Sequence, residues 1–232
     1  MDKVEIYDIG HLRVAIAARQ GVGPPTPYTV LLAESIPDLT GLSVVDIGTG
    51  SGFLAIVACL QGAARAYVLD TNDAAIAAAM ENAERNGVRE RFVHLPIGDT
   101  IIPLPPGETV DVVISNPAQV PLPRPENANS AYYAGSDGRV MIEEVIRQTP
   151  ARLSPAGRLL MVHNSAADFP KSLALFKSVG LRPRVLAERS LELRPLFDRD
   201  WLDQIGGPSR GLYAVRDGRA YETIYAVEAR LH

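Results

Sequence analysis

The stretch Val44-Val45-Asp46-Ile47-Gly48-Thr49-Gly50-Ser51-Gly52, running on into Phe53-Leu54-Ala55-Ile56-Val57-Ala58-Cys59-Leu60, leaves few folds open. Residues 42–47 are mostly apolar and rich in β-branched side chains, the composition of a parallel strand covered on both faces. Three glycines at alternate positions then permit a sharp turn and a close backbone approach to a ligand. The apolar run after them predicts a helix whose N-terminus can face that ligand. In the dinucleotide fingerprint Gly-x-Gly-x-x-Gly the third glycine would stand where Phe53 is; here it falls at position 52, which argues against a nicotinamide dinucleotide.

The rest of the chain repeats the strand-and-helix alternation. Residues 66–69 predict a second strand ending in Asp70, about 20 residues beyond the first glycine, where a carboxylate can accept both ribose hydroxyls of a nucleoside or cap the following helix. An alanine-rich helix is expected over 72–86, with Asn72 as cap and Gly87 just past its end, and a third strand over 91–95, followed by Gly98-Asp99-Thr100. The fourth strand, 110–115, runs directly into Asn116-Pro117-Ala118-Gln119. Helix, strand, helix and strand follow at 136–149, 157–163, 168–179 and 181–193, and 221–231 reads as a last, antiparallel strand. This alternation predicts an α/β fold with a mostly parallel, doubly wound sheet.

Ahead of that unit, Leu12, Ala15, Ile16 and Arg19 sit at helical spacing, so 1–24 is read as a helical appendage or lid and 25–232 as the ligand-binding catalytic domain. Pro24-Pro25-Thr26-Pro27 leads into a helix reaching about residue 35, on which Tyr28 faces either core or ligand. Residues 195–218, with Phe197 and Trp201 between Gly/Pro punctuation, are expected to be an insertion or loop.

A chain of 232 residues suits one large domain. Its net charge of −4 and lack of basic clusters disfavour nucleic acid as a partner, and no apolar run is long enough to span a bilayer. The first residues carry mixed charge with no apolar leader, and the single Cys59 lies in an apolar helix, so a cytoplasmic protein with a packed thiol and no metal is expected.

Ligands in open α/β sheets bind outside the carboxyl ends of the strands, where Gly48, Asp70, Asp99 and Asn116 all fall. Asn116 precedes a proline and is therefore held extended. Its side-chain oxygen and the Pro117 carbonyl can together accept from an attacking NH₂ group and aim the nitrogen lone pair. Tyr132, Tyr133, Asn127 and Asn129 lie in the long loop that follows, and His163 ends the next strand as a candidate base.

The Asp-x-Gly-x-Gly-x-Gly spacing resembles the first motif of class I S-adenosylmethionine (SAM) methyltransferases, whose fold is a Rossmann-like seven-stranded sheet with an antiparallel strand. Asn116-Pro117-Ala118-Gln119 resembles the Asn-Pro-Pro-Tyr hallmark of the HemK/PrmC group of N-methyltransferases. Pro25-Thr26-Pro27-Tyr28-Thr29 and Gly135-Ser136-Asp137-Gly138 are similar to two further segments of that group. The resemblance implies SAM on Gly48, Gly50, Asp70 and Asp99, with Asp46, Thr49, Thr71 and Thr100 in the same turns counted with them, and Asn116 touching both cofactor and acceptor nitrogen. Ala118 and Gln119 replace the Pro-Tyr pair, removing an aromatic ring that would stack on a planar amide. Only 24 residues precede Pro25, whereas the release-factor enzymes carry a separate recognition domain.

The reading expected from these departures is methyl transfer from SAM to a nitrogen, less readily an oxygen, of a small molecule met by Tyr28, Gln119, Tyr132 and Tyr133. One alternative is ring closure of SAM on its own amine to azetidine-2-carboxylate, with SAM as sole substrate. Others are N-methylation of protein glutamine or RNA, and a nucleoside-binding module without catalysis.

Overall fold

The computed structural model describes residues 3–97, 100–123 and 134–231. Strands β1 (Val4–Ile9) and β2 (Leu12–Ala17) pair antiparallel, with Ile9 opposite Leu12 and Gly10-His11 as the loop. The helix expected over 10–21 is therefore a hairpin. Gly10 sits at φ +59°, as a tight hairpin loop needs, and Leu12, Val14 and Ile16 alternate inward with period two. The helical spacing of Ala15 and Arg19 is coincidental to that pattern.

Helix α1 (Pro27–Glu34) follows, then β3 (Ser43–Ile47), α2 (Phe53–Leu60), β4 (Arg65–Leu69), α3 (Asp73–Arg85) and β5 (Phe92–His94). Next come β6 (Val110–Ser115), α4 (Val140–Gln148), β7 (Leu153–Asn164), α5 (Phe169–Ser178) and β8 (Leu181–Glu192). Residues 195–218 hold a short helix, α6 (Arg199–Gln204), and β9 (Ala214–Arg216) before β10 (Arg219–Leu231). The predicted insertion is thus partly structured, closed over a small core of Val120, Phe197, Leu202, Leu212 and Tyr213.

The main sheet runs β5-β4-β3-β6-β7-β10-β8, with β9 added beside β10. Pairs from β5 to β7 are parallel, and β10 is antiparallel to both β7 and β8. One core lies under α1, α2 and the hairpin, the other under α4 and α5, so β3 and β6 are covered on both faces, as their apolar composition requires. The order reverses between β3 and β6, which opens a crevice at their carboxyl ends.

The hairpin is anchored by two asparagines one turn apart, Asn82 on α3 and Asn86 at its C-cap. Asn82 accepts from the Ala17 amide and Asn86 both accepts from and donates to the Ala15 backbone, all at 2.8–2.9 Å. This satisfies the edge of β2 with side chains where a third strand would otherwise stand. Among the described residues no helix is long and apolar enough to cross a membrane.

Candidate active site

The glycine turn is built by backbone conformation. Gly48, Gly50 and Gly52 have φ of +71°, +53° and +82°. A Cβ on Gly48 or Gly50 would meet nothing within 4 Å, whereas one on Gly52 would lie 2.8 Å from the Ala79 Cα on α3. The first two glycines face open space and the third lets the turn press against a helix.

Asp46 lies beneath the turn, almost wholly buried, and its Oδ2 receives the Thr49 hydroxyl at 2.8 Å. Burial pushes its carboxyl up to about 7, with the Thr49 bond opposing. Neither Asp46 nor Thr49 lines the crevice; the structure places both beneath the turn, bonded to one another. Thr100 is likewise turned to its own chain, where its hydroxyl receives the Ile102 amide at 3.1 Å. Asp99, Tyr132, Tyr133, Asn127 and Asn129 lie outside the described residues.

A cavity of about 520 Å³ fills the crevice. Gly48, Gly50, Asp70, Thr71, Asn116 and Pro117 all line it, so these predicted residues from three strand ends come together. Asp70 receives the Gly50 amide on Oδ2 and the Asn72 amide on Oδ1, both at 2.9 Å, which fixes the carboxylate while leaving further lone pairs for hydroxyl donors. Gly21, Val22 and Gly23, which follow the hairpin, form an unforeseen wall, tied to the β4 end by Asn72 Nδ2 on the Gly21 carbonyl at 3.0 Å.

Asn116 is held by Thr29, which is not among the expected site residues. Its Nδ2 donates to Thr29 Oγ1 at 3.0 Å. That hydroxyl also takes the Thr26 amide at 3.2 Å and faces Thr26 Oγ1 at 3.2 Å, closing the capping box of α1. With one hydrogen and two lone pairs, Thr29 Oγ1 accepts from the Thr26 amide and has one hydrogen and one lone pair left for Thr26 Oγ1 and Asn116. The amide is set from the other side: Gln119 Oε1 takes the Asn164 amide, so Gln119 Nε2 is the atom facing Asn116 Oδ1 at 3.5 Å, which places Asn116 Nδ2 on Thr29 and leaves Oδ1 the acceptor. The signal was Thr26-x-x-Thr29 around a proline, legible as a helix start but not as a support for Asn116.

A second, smaller cavity of about 110 Å³ adjoins the first and is lined by Thr26, Tyr28, Asn116, Pro117, Ala118, Gln119, Val120 and Arg194. Asn116, Pro117 and Ala118 border both. Tyr28 resolves as both alternatives at once: it is buried, yet borders this cavity, and its hydroxyl lies against the Glu222 carboxylate.

Gln119 differs from expectation. Its Nε2 donates to the Pro117 and Val162 carbonyls at 3.2 and 3.3 Å, and its Oε1 receives the Asn164 amide at 2.7 Å. The amide stitches the motif to β7 and is not offered to an acceptor. His163 is fully buried between the Asn164 carbonyl and Ser172 Oγ, and burial pushes it down to about 3. It is neutral at working pH and lines neither cavity, so it is no base for this site.

The open faces of Gly48 and Gly50, the fixed Asp70 carboxylate and the cavity's size fit an adenosyl amino acid. Residues 21–122 match the family model described as ribosomal protein L11 methyltransferase (PrmA). A putative protein N5-glutamine methyltransferase of Methanocaldococcus jannaschii is 24% identical over 177 residues, 75% of this chain and 87% of that one. A release factor glutamine methyltransferase of Gloeobacter violaceus is 34% identical over 151 residues, 59% of this chain, which spans only 52% of that relative. Among solved structures, the Mtq2–Trm112 complex of E. cuniculi, responsible for methylation of the eRF1 translation termination factor, superposes with TM-score 0.58 at 18% identity, covering 91% of this chain and 99% of that one. Fold, switch-point site and relatives define a class I SAM-dependent methyltransferase. Within that class the chain is HemK/PrmC-like, its relatives including the protein-glutamine N-methyltransferases named above.

These relatives overturn the small-molecule acceptor. Their names give protein glutamine, a release factor and a termination factor as what they methylate. The geometry removes the reason for that expectation too, since Gln119 is spent inside the fold and does not shape the acceptor wall as an open polar group.

Proposed function

We propose that the protein transfers the methyl group of SAM to the side-chain amide nitrogen of a glutamine in a protein substrate. The observation that carries this reading is the junction of the two cavities at Asn116-Pro117, where Asn116 is held between Thr29 on its Nδ2 and Gln119 on its Oδ1. Gly48, Gly50, Asp70 and Thr71 would hold SAM in the larger cavity. When bound it supplies an electrophilic methyl group on a sulfonium.

In the smaller cavity, Asn116 Oδ1 and the free lone pair of the Pro117 carbonyl accept the two hydrogens of a primary amide. This turns the nitrogen lone pair towards the larger cavity, so the chain's contribution is mainly orientation. Size supports the amide as well. The smaller cavity, about 110 Å³, has room for a carboxamide and its methylene.

The test is to incubate the protein with methyl-deuterated SAM and a protein extract of the cells that make it, then locate the label by peptide fragmentation. Label on glutamine side-chain nitrogen supports the reading. Label confined to RNA, or methylthioadenosine from SAM alone, would sink it.

A further inference from the structure

The smaller cavity that Asn116 and Pro117 line is also lined by a cation, Arg194. The Arg194 guanidinium carbon lies 4.8 Å from the centroid of the Tyr28 ring and 6.0 Å from that of Phe197, so the group is stacked in place on aromatic rings. Arg194 lines the cavity with Asn116 and Pro117, while its Nε is buried and has no acceptor among the described residues.

Glu222 on β10 is wholly buried, and its carboxylate lies against the Tyr28 hydroxyl. Glu222 interacts electrostatically with both Arg194 and Tyr28. Glu222 therefore balances the Arg194 charge from inside the fold, and the donor left without an acceptor among the described residues is the Arg194 Nε.

The polar groups lining the cavity are chemically complementary. Asn116 and Pro117 present acceptors, and a guanidinium is donor-only. A primary carboxamide is the group that satisfies both, with its NH₂ donating to the acceptors and its carbonyl oxygen accepting from the guanidinium. An amine has no oxygen to offer Arg194, and an ammonium is repelled by it. The N–CH₃ bond would form as the S–CH₃ bond breaks and adenosylhomocysteine leaves, with the surplus amide proton passing to water; a fixed cation at the carbonyl oxygen favours that loss by holding the charge of the deprotonated amide on oxygen.

From this we infer that Arg194 is the residue that reads the acceptor's carbonyl oxygen and makes the pocket specific for a primary carboxamide over an amine of similar size. The inference rests on the amide-nitrogen reading given under Proposed function, and its test separates the two.

Two bisubstrate compounds serve, each joining adenosine through its 5′ position to the side-chain nitrogen of a glutaminyl peptide. One keeps the side-chain carbonyl and the other replaces it with methylene. Calorimetry on wild type should show the carbonyl compound binding roughly 10- to 100-fold tighter, the range for a hydrogen bond to a charged group. In Arg194→Ala that ratio should collapse to within about twofold, and in Arg194→Lys, which keeps the charge but not the planar fork, it should be intermediate. Adenosylhomocysteine affinity should be the same in all three, which also shows that the variants are folded. A ratio that survives in Arg194→Ala overturns the role of Arg194 alone. Wild type that binds neither compound tighter than adenosylhomocysteine overturns the amide-acceptor reading and this inference with it.

Discussion

Thr29 and Asp46 are the two residues whose work is least visible from their positions in the chain. Thr29 is the only hydrogen-bond acceptor for the Asn116 amide nitrogen among the described contacts, so Thr29→Val should leave adenosylhomocysteine affinity unchanged while turnover falls roughly 10- to 100-fold through lost orientation. Thr29→Ser, which keeps the hydroxyl, should retain most activity; equal losses in both variants would contradict the hold of the Thr29 hydroxyl on Asn116. Asp46 bears on stability. Its folded carboxyl is raised to about 7 from 3.8, so the native state binds a proton that the unfolded chain has released, and stability from this group is lost as pH rises from about 4 to about 7. Denaturant midpoints of Asp46→Asn should therefore gain on wild type across that window, by roughly 2–4 kcal/mol at most. A difference that is flat with pH would show that Asp46 is not buried as described. Asp70 does the ligand's share of the work: Asp70→Ala should weaken adenosylhomocysteine binding roughly 10- to 100-fold by calorimetry, and unchanged affinity would remove it from the site.

At the scale of elements, the strand-turn-helix from β3 to α2 divides its glycines by task. Gly52→Ala has to place a methyl 2.8 Å from the α3 backbone at φ +82°, so it should destabilise the protein by roughly 2–4 kcal/mol in thermal unfolding. Gly48→Ala meets no protein atom and should cost roughly half as much, showing instead as weaker cofactor affinity. Equal destabilisation by both would contradict that division. The same elements show what the sequence could and could not reveal. Parallel strands buried on both faces announce themselves by composition, which is why β3, β4 and β6 and the ligand-bearing residues at their ends were legible. The hairpin was not, because Leu12, Ala15, Ile16 and Arg19 satisfy a helical period as well as Leu12, Val14 and Ile16 satisfy a strand's. What decides between them is the pair Asn82 and Asn86, some 70 residues away. Arg194 and Gln119 were misjudged or missed for a related reason: whether a polar side chain faces a cavity or the β7 backbone depends on tertiary packing that no local pattern encodes.

Across the whole molecule, the sheet's reversal between β3 and β6 creates the larger cavity, and α1 with the segment around Arg194 closes the smaller one against it. The reaction proposed here needs both, and they meet at one short motif. The most direct measurement compares Asn116→Ala with wild type in two readouts, SAM affinity by calorimetry and the rate of deuterated-methyl transfer to protein glutamine at saturating SAM. The structure predicts affinity within about threefold of wild type and a transfer rate lower by roughly two orders of magnitude, because the nitrogen is bound without being aimed. Full transfer by Asn116→Ala would contradict the account, since the nucleophile would then be oriented somewhere other than the junction of the two cavities.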